Sequence, residues 1–277
     1  MNTIDQLYSN YKLHVKSRTR KHASYPERFV VPDDKVKWDI AFPEYAPIAF
    51  NAPVVLDPAT PWADPQDIAK ITHPIFSFEG GIKLAANGLP LNPMGRTGIC
   101  GRGVVGKWGA NFAADGIITT ENPSTHQFQV LTITRKDTGE IAFPGGMVDP
   151  GEDIFETRNR ELMEELSLNM ADLADPLYEE IVFKGYADDP RNTDNAWMET
   201  TAIHTHITYK KALSLKLEAG DDAAGHQWTD ITQDAVDQFY GTHGYVILKA
   251  LNQLIESNPH LVDTKTIELY QHFFGRC

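Results

Sequence analysis

Cysteine is nearly absent: only Cys100 and Cys277 occur in 277 residues, far apart in sequence. That excludes a disulfide framework and fits a reducing compartment. No run of about twenty apolar residues exists, the length a membrane-spanning helix needs, so no segment is expected to cross a bilayer. An excess of positive charge is missing too. Lys and Arg number 25 against 38 Asp and Glu, a formal net charge of −13, whereas nucleic-acid backbones select basic surfaces. Nucleic acid is therefore not an expected partner. The N-terminus lacks the apolar run of a secretory signal. It is basic instead, with Lys12, Lys16, Arg18, Arg20 and Lys21 against a single Asp5. Residues 1–24 read as the basic leader of a cytoplasmic protein. A mitochondrial presequence is the alternative, weakened by Asp5 and by the scarcity of Ser and Arg at the start.

What is present suffices for a folded enzyme-sized protein. The 42% hydrophobic content supports a core, and the length suits one large domain or two ordinary ones. Residues 25–95 carry Pro26, Pro32, Pro43, Pro47, Pro53, Pro58, Pro61 and Pro65, which break long helices. Trp38, Phe42, Tyr45, Phe50 and Trp62 punctuate the same stretch, so it reads as extended segments and turns rather than a disordered linker. Residues 95–116 read as a glycine-rich loop. From about 117 the pattern becomes α/β: strands around 128–133, 141–143, 181–186, 197–209 and 227–231, with helices over 152–166, 244–256 and 264–274. In the long strand, Trp197, Ile203, Ile207 and Tyr209 share one face. A mixed sheet covered by helices is expected for 117–277, with 25–116 as a smaller N-terminal domain rich in extended segments.

Residues 145–168 are the most informative. A Gly145-Gly146 loop runs into a helix that crowds Glu161, Glu164 and Glu165 within about 100° of arc. Phe155, Leu162 and Leu166 fall on the opposite side, facing a core. Like charges at these spacings repel, and a hard divalent cation turns the repulsion into binding, since Mg²⁺ takes carboxylate and phosphate oxygens. Backbone N–H groups of the loop, Gly146 among them, suit a phosphate near a helix N-terminus. A Glu-rich helix face alone is more often a solvated surface; the extended pattern of loop and helix is what raises it to a site.

Other matches carry less. Gly101-x-Gly103-x-x-Gly106 lacks the preceding hydrophobic strand of a dinucleotide fingerprint, and Gly101 to Lys107 lacks the Ser or Thr of a phosphate loop, Trp108 standing there instead. His204-x-His206 has no third metal ligand nearby and reads as structural. Between two strands, Asp188, Asp189, Arg191, Asn192, Asp194 and Asn195 are dense for a turn. Arg191 offers a fork for phosphate, and the acids suit ribose hydroxyls or a metal-bound water. The acidic loop Leu217–Ala223 holds either a general base or a solvated turn.

Gly146, then Glu152, then Arg160-Glu161-Leu162-x-Glu164-Glu165-x-Ser167-Leu168 resembles the Nudix box, with Ser167 in place of the glycine that ordinarily ends the helix in a left-handed conformation. With Trp62–Gln66, Asn92–Gly98, Gly101–Gly103, Gly106–Gly109, Lys184–Tyr186, Asp188–Thr200 and Leu217–Ala223, the chain is similar to one branch of that superfamily. The branch comprises mitochondrial-type ADP-ribose pyrophosphatases and the ADP-ribose-sensing tail domain of melastatin-type calcium channels. The resemblance implies a Nudix fold with a smaller N-terminal domain closing over the substrate cleft, and Mg²⁺-dependent hydrolysis of ADP-ribose to AMP and ribose 5-phosphate, Mn²⁺ being the substitute metal. It implies that Glu161, Glu164 and Glu165 carry the metal, that Arg160 orients them and that Glu152 supports the loop–helix geometry. It further implies that Asp189 and Arg191, with Asn195, hold ADP-ribose, and that Arg96, Arg102 and Trp108 wall the cleft. Two other readings stay open: an ADP-ribose sensor that does not cleave, and a hydrolase of another diphosphate. A monomer is expected.

Overall fold

The computed structural model describes residues 14–220 and 223–274. Most of the basic leader, Asp221 and Asp222 of the acidic loop, and Cys277 lie outside the described residues. Along the chain come α1 (Lys16–Thr19), β1 (Ile48–Asn51), α2 (Pro53–Leu56), β2 (Ile99–Gly103) and β3 (Gly109–Asn122). Next are β4 (Gln127–Arg135), β5 (Ile141–Ala142), β6 (Gly145–Met147), α3 (Ile154–Leu166), β7 (Tyr178–Tyr186) and β8 (Ala196–His206). The chain continues with α4 (Tyr209–Ser214), β9 (Ala223–Asp230), α5 (Gln233–Gln238), α6 (His243–Ser257) and α7 (Thr264–Phe274). The described residues fall into two compact units, 14–112 with 185–200, and 113–184 with 201–274 apart from 221 and 222.

In the N-terminal unit the prolines leave few regular elements. β1 pairs with β2 in parallel, Ile48 opposite Ile99 and Ala49 opposite Cys100. The stretch 95–116, expected as a loop, contains β2 and the start of β3. Its glycines take the left-handed positions that let the chain turn between strands, Gly103 at φ 58° and Gly106 at φ 85°. A small core gathers Ala110, Tyr186 and Trp197 against Ile82, Met94 and Phe112. Beneath it the Tyr186 hydroxyl is shared by His14 Nδ1 at 2.7 Å and Asn192 Nδ2 at 2.9 Å. Burial pushes the His14 imidazole down to about 4, so it serves as a neutral hydrogen-bonding group.

The second unit is built on a mixed sheet in the order β5-β4-β3-β8-β7, with β6 pairing β3 and β9 pairing β4. Strand alternation sorts its side chains into two layers. Ile117, Phe128 and Val130 pack with Val246, Ile247, Leu251 and Leu254 of α6, and Tyr270 of α7 closes that layer. On the other face Ile118, Leu131 and Ile133 meet Leu162 and Leu166 of α3. β8 stops at His206, short of the expected 209, because Thr208 accepts the Lys211 N–H at 3.2 Å and caps α4. Tyr209 therefore lies on a helix and not on the strand face with Trp197. His204 Nε2 and His206 Nδ1 both bond the Thr119 hydroxyl, at 2.6 and 2.8 Å. Among the described residues no helix is long and apolar enough to cross a membrane.

Candidate active site

Helix α3 is fixed at both ends by its own sequence. Asp153 accepts the N–H groups of Phe155 and Glu156 at 2.8 and 2.9 Å, and Glu156 returns a bond to the Asp153 N–H at 2.9 Å. At the other end Ser167 takes the left-handed conformation, φ 53° and ψ 28°, the geometry a glycine adopts without strain. Gly220 N–H caps the Glu165 carbonyl at 2.9 Å and Glu218 N–H caps that of Leu166 at 3.1 Å. Leu162 and Leu166 are fully buried, as their spacing requires. Phe155 is not: it is 40% exposed. It sits in the first turn, where the Arg158 guanidinium covers its ring from 5.7 Å in place of the sheet.

With the apolar stripe seated on the sheet, the acidic face is ordered by Arg160. Its Nε and Nη2 grip Glu152 at 2.8 and 3.0 Å, and Nη2 also donates to the Met147 carbonyl at 2.9 Å. Its Nη1 donates to Glu161 at 2.7 Å and Glu164 at 3.1 Å. The bidentate bonds hold the Glu152 carboxyl down at about 2. Glu161 moves the other way, because burial outweighs the stabilisation it draws from Arg160. Glu165 is pushed up to about 8, by burial first and then by the charges of Glu161 and Asp115, against a 2.9 Å bond from the Gly145 N–H. A Cβ on Gly146 would lie 2.2 Å from Glu161 Oε1, so glycine is what admits that carboxylate beneath the loop. The pairing of Ala114 with Gly146 and of Asp115 with Gly145 sets the loop over the helix.

This donor set fits a hard divalent cation in its chemistry: carboxylate oxygens, two of them costly to hold as bare anions. Among the described residues no three such groups are already drawn together as a metal cage. Arg160 occupies Glu161 and Glu164, and the Glu164 side chain is 58% exposed and can swing. Glu152, Arg160, Glu161, Glu164, Glu165 and Gly146 are thus brought together in one unit.

The remaining candidate residues lie in the N-terminal unit. Asp189 takes Arg191 in a bidentate grip, Nε at 2.9 Å and Nη2 at 2.7 Å, and also accepts the Arg191 backbone N–H at 2.7 Å. The Arg191 side chain is 24% exposed. Asp188 is consumed by the N–H groups of Val15, Lys16 and Ser17, far away in sequence. Arg96, Arg102, Trp108 and Asn195, expected to face substrate, are buried. Arg96 donates to the carbonyls of Lys35, Lys37 and Ile40. Arg102 donates to those of Asp64, Gly106 and Val55 beneath the Trp108 ring. Trp108 Nε1 bonds the Pro65 carbonyl, and Asn195 ties Gly101 to Pro90. In a unit poor in regular structure, loop carbonyls need donors, and these side chains supply them.

Two residues beside the strand that leads into the glycine pair have no counterpart among the expected site residues: Asp115, whose charge reaches Glu165, and His243, which faces Asp115 and Phe143. An acid between Ala114 and Gly116 in a buried strand is a usable signal for the first; a histidine opening a helix offers none for the second.

Comparison with known proteins bears on the same two regions. The family model for the NUDT9-like, N-terminal domain matches residues 31–109, and the NUDIX domain model matches 111–247. The mitochondrial ADP-ribose pyrophosphatase of Rattus norvegicus is 41% identical over 271 residues, 84% of this chain and 76% of that protein. Transient receptor potential cation channel subfamily M member-like 2 of Nematostella vectensis is 35% identical over 274 residues, 86% of this chain but 17% of the channel.

Proposed function

The chain belongs to the Nudix family, with a NUDT9-like N-terminal domain ahead of its NUDIX domain, and on that premise we propose that it hydrolyses ADP-ribose to AMP and ribose 5-phosphate with Mg²⁺. The observation that carries the reading is the complete carboxylate set on α3, with Glu161 and Glu165 disfavoured as bare anions and Arg160 ordering Glu161 and Glu164. Glu161, Glu164 and Glu165 would hold the cation. When bound, such an ion offsets the charge that builds on the diphosphate and acidifies the attacking water.

The protein's own contributions follow from where its groups are held. Glu152 fixes the Arg160 fork, so that Arg160 orients Glu161 and Glu164 without adding a mobile charge. The Gly145 amide aims Glu165. Asp189 grips one edge of the Arg191 guanidinium and would hold it so that its remaining N–H groups meet phosphate oxygens. Water adds to one phosphorus as the bridging P–O bond breaks, so two phosphate monoesters leave and no covalent intermediate is needed.

Incubation with ADP-ribose and Mg²⁺ in ¹⁸O-water, followed by product analysis, tests this. AMP and ribose 5-phosphate are expected, one of them carrying solvent oxygen. ADP-ribose should be preferred to NAD, ADP-glucose and diadenosine polyphosphates, because unmatched polar groups in a site cost a few kcal/mol. Binding without turnover would make the protein a sensor. Comparable kcat/KM for NAD or ADP-glucose would make it a hydrolase of broader diphosphate range.

A further inference from the structure

Residues 239–243, more than seventy positions beyond the box helix, run beside the strand that leads into the glycine pair. Phe239 bridges to Ile141, and the Tyr240 N–H donates to the Ile141 carbonyl at 2.8 Å. The Phe143 N–H then donates to His243 Nδ1 at 3.0 Å, and the imidazole lies flat on the Phe143 ring, centroids 4.5 Å apart and planes 7° off parallel. Since Nδ1 accepts this amide, the neutral ring carries its proton on Nε2. That nitrogen lies 3.7 Å from Asp115 Oδ1, facing the carboxylate at a distance beyond a hydrogen bond. The same Oδ1 packs against Gly145, where a Cβ would come within 2.6 Å of it.

Three residues therefore connect His243 to the acidic face. Phe143 is held by the imidazole, Gly145 holds Glu165 at 2.9 Å, and Pro144 lies between them. Proline has no N–H and a fixed φ, so this stretch offers only two amide handles and transmits a shift at one to the other. The Pro144 carbonyl is itself pinned by the Gly116 N–H at 2.9 Å. We propose that His243 is a positioning residue for Glu165, acting through the Phe143–Gly145 backbone and not on substrate. The inference rests on the reading of Glu165 as part of the cation-holding set.

The test uses the full chain and two readouts: the affinity for Mn²⁺ alone, from the electron paramagnetic resonance of free Mn²⁺, and the kinetics of ADP-ribose hydrolysis. Loss of an outer partner of a metal-holding group typically costs about 10–100-fold in affinity or activity. His243→Ala should weaken Mn²⁺ binding by about tenfold or more and lower kcat, leaving KM little changed. His243→Asn sets a carboxamide oxygen where Nδ1 stood and should recover most of both losses. His243→Gln places its amide nearer the Nε2 position and should not. An Mn²⁺ affinity within about twofold of the unmodified chain for His243→Ala, or equal behaviour of the Asn and Gln variants, overturns the proposal. So does a fall in melting temperature common to all three with Mn²⁺ binding intact, the mark of a purely structural side chain. Should His243→Ala fail to fold, the Asn and Gln pair decides alone. An unmodified chain that binds Mn²⁺ yet leaves ADP-ribose intact fails the functional reading only, and the Mn²⁺ comparison still decides this one.

Discussion

Arg160 spends its donors on Glu152, Glu161, Glu164 and the Met147 carbonyl, so the carboxylates it touches differ in how much charge remains available. Among the acids of α3, burial raises the pKa on balance at Glu161, which Arg160 touches, and at Glu165, which it does not. Glu161→Gln and Glu165→Gln should each lower kcat by at least about a hundredfold, the scale of a lost charge stabiliser, while the chain still folds. Near-normal turnover at saturating Mg²⁺ would remove the residue from the metal-holding set. Glu165 also sets a pH dependence. Its folded pKa of about 8 lies above the ordinary 4.5, so its contribution to stability is full below that ordinary value and is lost as pH rises through about 8. Denaturation of the metal-free chain across that window should give a falling stability, and Glu165→Gln should flatten the fall. Arg191→Ala should reduce kcat/KM about ten- to hundredfold, about 1.5–3 kcal/mol. It should also lower the melting temperature, because Asp189 loses a bidentate partner in a nearly closed site. Adding Asp189→Asn should restore the melting temperature but not the kinetics; recovery of both would make the pair scaffolding. Glu161, Glu164 and Glu165 are legible in sequence because helical spacing fixes which side chains meet, whereas the roles of Arg160 and Glu152 come from the resemblance to the Nudix box. The burial of Arg96, Arg102 and Asn195 is not legible, since an arginine that caps loop carbonyls has the same local sequence as one that waits for phosphate.

At the level of elements, legibility followed periodicity. The 3.6-residue repeat of Leu162 and Leu166, the Asp153–Glu156 box and the left-handed end at Ser167 define α3 from neighbouring residues alone. Ser167→Gly should remove the strain of a side chain at φ 53°, worth about 0.5–1 kcal/mol, and raise the melting temperature by about 2 °C or more with activity unchanged. A lower melting temperature would mean the serine contributes something its exposed position conceals. Where glycine dominates, no period exists to read: β2 and the start of β3 pass for loop because Gly101, Gly103 and Gly109 interrupt any alternation. The end of β8 is hidden for the opposite reason, an apolar pattern that continues through Ile207 and Tyr209 although Thr208 has begun a helix.

At the scale of the whole molecule, the change of sequence pattern near residue 117 divides the chain once, whereas residues 185–200 group with residues 14–112. Nothing in local sequence announces this, because the contacts involved join positions about a hundred or more residues apart, such as Asn195 with Gly101 and Asp188 with Ser17. A fragment beginning at residue 113 should therefore carry Tyr186, Trp197 and a dense polar segment with no core to receive them, and should bind hydrophobic dyes or aggregate. Replacing 185–200 in that fragment by a short hairpin turn should restore a cooperative melt; if the unaltered fragment melts cooperatively by itself, the segment does not need its unit. The excursion also limits how such a protein can be inherited. A recombination breakpoint between the halves leaves the segment on the wrong side wherever it falls, so neither half can be exchanged for a homologue's without mismatched contacts. Joint exchange of both regions is the one substitution that keeps these contacts matched, and a chimera joined between them should lose its cooperative melt.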